Sequence, residues 1–103
     1  MIELTNDNLA EVIQQNKNVI IQYGASWCGA CKIVKPKFSA LQEGSEDVTF
    51  YYVDAEKYPE SRSLATVNNL PTFAGFKNGK LVSQSTGTNI NKVKEILDEI
   101  TSD

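Results

Sequence analysis

Two cysteines, Cys28 and Cys31, stand with two residues between them in the stretch Ser26-Trp27-Cys28-Gly29-Ala30-Cys31-Lys32, which also holds the only tryptophan of the chain. The chemistry this spacing serves is thiol–disulfide exchange. A thiolate attacks a disulfide sulfur, a mixed disulfide forms, and a second thiol within reach resolves it. Helix geometry separates the roles of the two sulfurs. Residues three apart inside a regular helix hold their Cβ atoms about 5–6 Å apart, whereas a disulfide needs roughly 3.8 Å. The first cysteine must therefore sit at a helix end. There Cys28 meets unpaired backbone N–H groups and the positive end of the helix dipole, which favour its thiolate. Cys31, one turn in and on the apolar face, should be shielded and stay a thiol until needed. Ala30 keeps a backbone N–H that proline would lack, one more donor for a thiolate in the first turn.

The flanking elements must hold this turn. Residues 19–25, Val-Ile-Ile-Gln-Tyr-Gly-Ala, are apolar on both faces except at Gln22, the pattern of a strand covered by helices on both sides. Residues 29–43 read as a helix with Cys31, Val34, Phe38 and Leu41 on one face, continuing through a kink at Pro36. A second buried strand spans 48–53 and completes a parallel βαβ unit. Before this unit, residues 2–4 suggest an edge strand. Thr5 or Asn6 is then placed to cap a helix that buries Leu9, Val12 and Ile13 and ends near Asn16. After it come a weaker helical stretch over 59–67 and two antiparallel strands, 72–76 and 80–85, around the hairpin signal Asn78-Gly79. A last helix over 89–101 carries Ile90, Val93, Leu97 and Ile100 on one face.

The composition narrows the function. The chain has 103 residues, with 10 basic and 13 acidic side chains and no histidine. One domain over residues 1–103 is expected, large enough to bury a core without staples. Two cysteines are too few for a disulfide framework and point to a reducing, cytoplasmic setting. The absence of histidine excludes Cys-His proteases and every histidine-containing metal site. A Cys₄ zinc site would require a second copy of the chain. Lysines are spread along the sequence rather than clustered, so nucleic acid is not expected as a ligand, and no run approaches membrane-spanning length.

In order and spacing, Trp27-Cys28-Gly29-Ala30-Cys31-Lys32, Pro36, Asp54, Leu70-Pro71-Thr72, Phe76-Lys77-Asn78-Gly79 and Gly87 resemble the thioredoxin family across essentially the whole chain. The resemblance implies an α/β thioredoxin fold, a five-stranded mixed β-sheet flanked by four α-helices, with a cis peptide bond before Pro71. It implies a monomeric protein-disulfide reductase with no bound cofactor beyond a redox-active Cys28–Cys31 disulfide. Cys28 would be its exposed nucleophile and Cys31 its buried resolving thiol. Trp27, Gly29, Ala30, Leu70, Pro71 and Gly87 would border the groove for the substrate polypeptide. Thioredoxin reductase or an equivalent donor, and disulfide-containing protein substrates, would be the partners.

This sequence departs from the family pattern at two sites. Gln22 stands where the family usually has a buried aspartate that exchanges a proton with the resolving cysteine, and an amide cannot take that proton at neutral pH. The lysine that often accompanies that aspartate is matched to Phe50. Ala30 stands where the family usually has proline. A second functional class shares the fold: a binding module that holds a partner in the Trp27 and Pro71 groove whatever its redox state. A disulfide oxidase or isomerase is disfavoured, since such relatives often carry histidine at the place of Ala30.

Overall fold

The computed structural model describes residues 1–102. Its elements run β1 (Ile2–Glu3), α1 (Leu9–Gln15), β2 (Asn18–Gly24), α2 (Gly29–Ala40), β3 (Thr49–Asp54), α3 (Pro59–Arg62), β4 (Thr72–Lys77), β5 (Lys80–Thr86) and α4 (Ile90–Thr101). The sheet order is β1-β3-β2-β4-β5. β3 is parallel to both β1 and β2, while β4 is antiparallel to β2 and β5. The expected mixed five-stranded sheet with four helices is therefore present.

Alternation along β2 divides the core in two. Val19, Ile21 and Tyr23 face α1, packing with Leu9, Val12 and Ile13. Ile20 points the other way, into Phe38 of α2 and Val93, Leu97 and Ile100 of α4, because successive strand residues project to opposite faces. The Phe38 ring makes tilted contacts with Phe50 and Phe73 at 5.0 and 5.1 Å between centroids. That packing anchors α2, and with it the cysteine turn, to the sheet.

Several boundaries differ from the sequence reading. The α1 cap is Asn8, not Thr5 or Asn6, and its side chain makes no capping bond. Asp7 is committed elsewhere: its carboxylate accepts from the backbone N–H groups of Glu60 and Ser61 and from the Ser61 hydroxyl. α2 ends at Ala40 because the next three amides tighten to i→i−3 bonds, from Leu41 to Phe38, Gln42 to Ser39 and Glu43 to Ala40. The helix does run through Pro36. α3 stops at Arg62, short of Val67. Beyond it the Thr66 N–H and C=O pair with the Gln84 side chain on β5, and the Arg62 guanidinium bonds the Val67 carbonyl. α4 buries Ile96 as well as Val93, Leu97 and Ile100, while Ile90 is only partly covered. Ile96 fits because Gly75 of β4 lies beneath it, where any Cβ would collide with its methyl. The hairpin turns through Asn78 and Gly79, both at positive φ (52° and 80°), as the primed turn between twisted strands requires.

Candidate active site

Cys28 is the N-cap of α2, with extended backbone, and Cys31 is the third helical residue. Their Cα atoms lie 5.3 Å apart and the sulfurs form a disulfide. The Cys31 N–H donates to Cys28 Sγ at 3.2 Å, which is the bond an N-cap side chain makes to the third amide of its helix. A sulfur that accepts this bond as a disulfide is placed to accept it more strongly as a thiolate. The sequence reading assigned an extra donor to Ala30; the N–H that reaches Sγ is that of Cys31. Gly29 and Ala30 lie exposed beside it at the same helix end.

Exposure separates the two cysteines less than expected. Cys28, expected to be open, is only 5% exposed, against 1% for Cys31. Ala25 and Leu70 pack with the two cysteines in one buried cluster. Cys28 is nonetheless the more exposed of the two residues.

Topology gathers the remaining groove residues. β2 runs toward Cys28, and its antiparallel neighbour β4 begins at that same end, with Tyr23 opposite Thr72. Pro71, the residue before Thr72, therefore lies next to the cysteine turn. The Leu70–Pro71 bond is cis. β5 returns antiparallel to β4, pairing Thr72 with Thr86, so Gly87 also lands there and its N–H donates to the Pro71 carbonyl at 2.9 Å. Leu70, Pro71 and Gly87 thus reach the cysteine end of the sheet, with Leu70 packed against the cysteine cluster, although more than 35 residues separate them from it in the chain.

Trp27 is 66% exposed, so it is not a core residue. Its indole N–H donates to Glu56 Oε1 at 2.8 Å. Glu56 lies in the turn after β3, which Asp54 shapes by accepting from the amides of Glu56 and Lys57. The Asp54 turn has a sequence signal, an aspartate able to bond amides two and three residues ahead. Glu56 as a partner for Trp27 has none, because the contact depends on β3 ending beside β2.

Gln22 is fully buried. Its side-chain Nε2 donates to the Cys31 carbonyl at 3.0 Å, and its Oε1 has no hydrogen-bond partner among the described residues. Opposite Gln22 on β3 is Tyr52, while Phe50 pairs with Ile20. The side chain directly across from Gln22 on β3 is thus a tyrosine, and Phe50, matched to the family's lysine, stands two residues before it on the same strand face. Burial raises the Tyr52 phenol, with help from the negative charges of Asp54 and Glu3, so it stays protonated at neutral pH. The Lys35 ammonium lies 4.1 Å from its ring centroid and pairs with Glu3. Among the described residues no cluster of three or more His, Cys, Asp or Glu side chains is placed to hold a metal, and no helix is long and apolar enough to cross a membrane.

The Thioredoxin family model matches residues 1–102. Rabbit thioredoxin is 35% identical over 85 residues, covering 82% of this chain and 81% of the rabbit protein. Thioredoxin-1 of Schizosaccharomyces pombe is 31% identical over 96 residues, covering 91% of this chain and 93% of the yeast protein. Among solved structures, reduced thioredoxin pre-protein from Schistosoma mansoni superposes with a TM-score of 0.87 at 35% identity, covering 96% of each chain.

Proposed function

The chain belongs to the thioredoxin family, and from that premise we propose how its residues divide the work of a protein-disulfide reductase. The reaction itself is dithiol–disulfide exchange through Cys28 and Cys31. In the reduced protein the Cys28 thiolate attacks one sulfur of a substrate disulfide. A Cys28–substrate disulfide forms and the other substrate sulfur leaves as a thiolate. Cys31 then gives up its proton and attacks Cys28 Sγ. The Cys28–Cys31 bond forms, the second substrate sulfur departs, and the two electrons have passed to the substrate, which takes up the protons as two thiols.

The single observation that carries this assignment is the Cys31 N–H bond to Cys28 Sγ at the N-terminus of α2. It stabilises negative charge on Cys28 and on no other sulfur, which makes Cys28 the nucleophile and Cys31 the resolving thiol. Trp27, Gly29, Ala30, Leu70, Pro71 and Gly87 form the rim against which an extended substrate segment lies. Electrons return from thioredoxin reductase or an equivalent donor, so the protein serves electron transport between that donor and its substrates. We place it in the cytoplasm, where a reducing pool keeps the dithiol available, and we take the working form to be a monomer.

A Cys31→Ser variant tests the assignment, because it halts the reaction at the mixed disulfide. Incubated with disulfide-bearing proteins, it should hold them covalently through Cys28 and release them with dithiothreitol, while Cys28→Ser should hold none and reduce nothing. Full binding of the same partners by Cys28→Ser, without reduction, would identify a redox-independent binding module instead.

A further inference from the structure

Gln22 sits in the middle of the central strand β2 with α2 above it, and its amide orientation is forced. The Cys31 carbonyl can only accept, so the limb of the amide that meets it must be Nε2, which donates at 3.0 Å. Oε1 is the other limb of the same planar group. It is buried and meets no donor among the described residues. A buried acceptor left unmatched costs about as much as a lost hydrogen bond, and native interiors rarely keep one. The strand neighbours do not satisfy it: Phe73 on β4 has no polar hydrogen, and the Tyr52 hydroxyl on β3 is turned against Gly24.

One donor is absent in the disulfide state and appears with turnover. When the disulfide is reduced by two electrons and takes up protons, Cys31 Sγ gains a hydrogen. Cys31 is 1% exposed, so this S–H is as cut off from water as Oε1 is. The new donor belongs to the residue whose carbonyl Gln22 already grips. We infer that in the reduced protein Gln22 Oε1 accepts the S–H of Cys31, so that Gln22 is a positioning residue that stabilises the resolving sulfur as a thiol and biases the protein toward its reduced form. The Nε2 bond to the Cys31 carbonyl is common to both states and cancels, whereas the Oε1 bond exists only in the reduced one. Because an amide oxygen accepts a hydrogen bond but does not take up the proton, the proton leaving Cys31 during resolution passes to the departing substrate thiolate or to water. This inference rests on Cys31 being the resolving thiol.

The test reads the hydrogen bond directly. In a reduced Cys28→Ser variant the only thiol is Cys31, and its infrared S–H stretch should lie below that of a free thiol. Gln22→Met, which keeps the volume and removes the amide, should return the band to the free position. In the otherwise wild-type protein, Gln22→Met should favour the disulfide against glutathione by about threefold to tenfold, equivalent to roughly 15–30 mV more reducing at 30 mV per tenfold. It should also lower the pH at which Cys31 is alkylated. A free-thiol band with Gln22 in place overturns the inference without any substitution at Gln22, even if Gln22→Met does not fold. An unchanged band and unchanged glutathione equilibrium in Gln22→Met overturn it too, and would mean that Oε1 binds water. Covalent trapping by Cys31→Ser reads the reductase assignment independently, so the two can fail separately.

Discussion

Ala30→Pro should make this protein a stronger reductant by about 10–30 mV, a figure that follows from the first turn of α2 and the scale on which 30 mV is about 1.4 kcal/mol. Cys28 is the N-cap and Ala30 the second helical residue, so the Ala30 amide has no partner within the helix. The sulfur already accepts the Cys31 N–H at 3.2 Å, and proline at position 30 leaves that bond in place. Only the second donor available to the Cys28 thiolate is deleted. A full charge-assisted bond would contribute about 1.5–3 kcal/mol. With the observed Cys31 donor retained, the loss is set at the 0.5–1.5 kcal/mol of an ordinary bond from the Ala30 N–H to the thiolate, or roughly 10–30 mV. Proline is tolerated in a first turn, and its steric demand on the preceding residue falls on Gly29, which has no Cβ to clash. The measurement is equilibration of both forms with glutathione at fixed pH, reading the disulfide fraction, together with the alkylation pH profile of Cys28. The Cys28 profile should move up as the potential moves down. Equal potentials, or a more oxidising Ala30→Pro, would refute the reasoning by showing that the Ala30 N–H contributes nothing to the thiolate.

Two glycines should respond differently to alanine. At Gly75 the new methyl meets the buried Ile96 and, at 2.9 Å, Ile100, neither of which can leave the core. Gly75→Ala should therefore lower stability by about 1–3 kcal/mol in urea titrations, the usual cost of overpacking. At Gly24 the obstacle is the Tyr52 hydroxyl at 2.5 Å, the tip of a half-buried ring that can swing outward. Gly24→Ala should cost less than ~1 kcal/mol, mainly the exposed Lys35 contact with the ring, and an equal or reversed order of the two losses would contradict this. For Asp7, desolvation alone would raise the carboxyl, but bonds from the Ser61 hydroxyl and the Ser61 and Glu60 amides hold it below the usual carboxylate range. With a folded value below the unfolded one, the stabilisation is complete above about pH 4 and is lost as pH falls through the folded value. Asp7→Asn should be less stable than wild type at neutral pH, and the two denaturation midpoints should converge on acidification; parallel curves would exclude this linkage.

Much of the fold was legible because its signals are local. Alternation could not be read along β2, which is apolar on both faces, yet the run 19–25 identified a covered strand, and Asn78-Gly79 fixed the hairpin. The errors fall where a distant partner decides a local outcome. α3 ends early because Gln84, 18 residues on, takes both Thr66 backbone groups. Ile96 is buried because a glycine on another strand makes room for it. Asp7, which local pattern would leave as part of a loop before α1, instead caps α3 across 53 residues. In the site, spacing alone located Cys28 and Cys31 and predicted the helix end. Leu70, Pro71 and Gly87 required the resemblance, and Glu56 and Tyr52 were not foreseen, because which residues lie side by side across the sheet is set by strand pairing rather than by spacing.

The sheet order explains why such a dispersed set works as one site. β2 and β3 are parallel and both end at the cysteine turn, bringing Trp27 to Glu56. β4 starts there and β5 ends there, bringing Leu70, Pro71 and Gly87. The loops after β2, β3 and β5 and the one before β4 therefore meet at that end of the sheet, while Gln22, in the strand between β3 and β4, holds the Cys31 backbone from below. The rim and the support have different freedom to vary. A rim residue can change what docks without altering the sulfur chemistry, because Trp27 is exposed and bonded only through its indole edge. Gln22 is fully buried and bonded to Cys31 itself, so a change there alters the redox equilibrium and leaves the docking surface intact. Substrate choice and redox poise are thus separable in this protein: substitutions at Trp27 should shift which disulfides are reduced at constant potential, and substitutions at Gln22 should shift the potential at constant substrate preference.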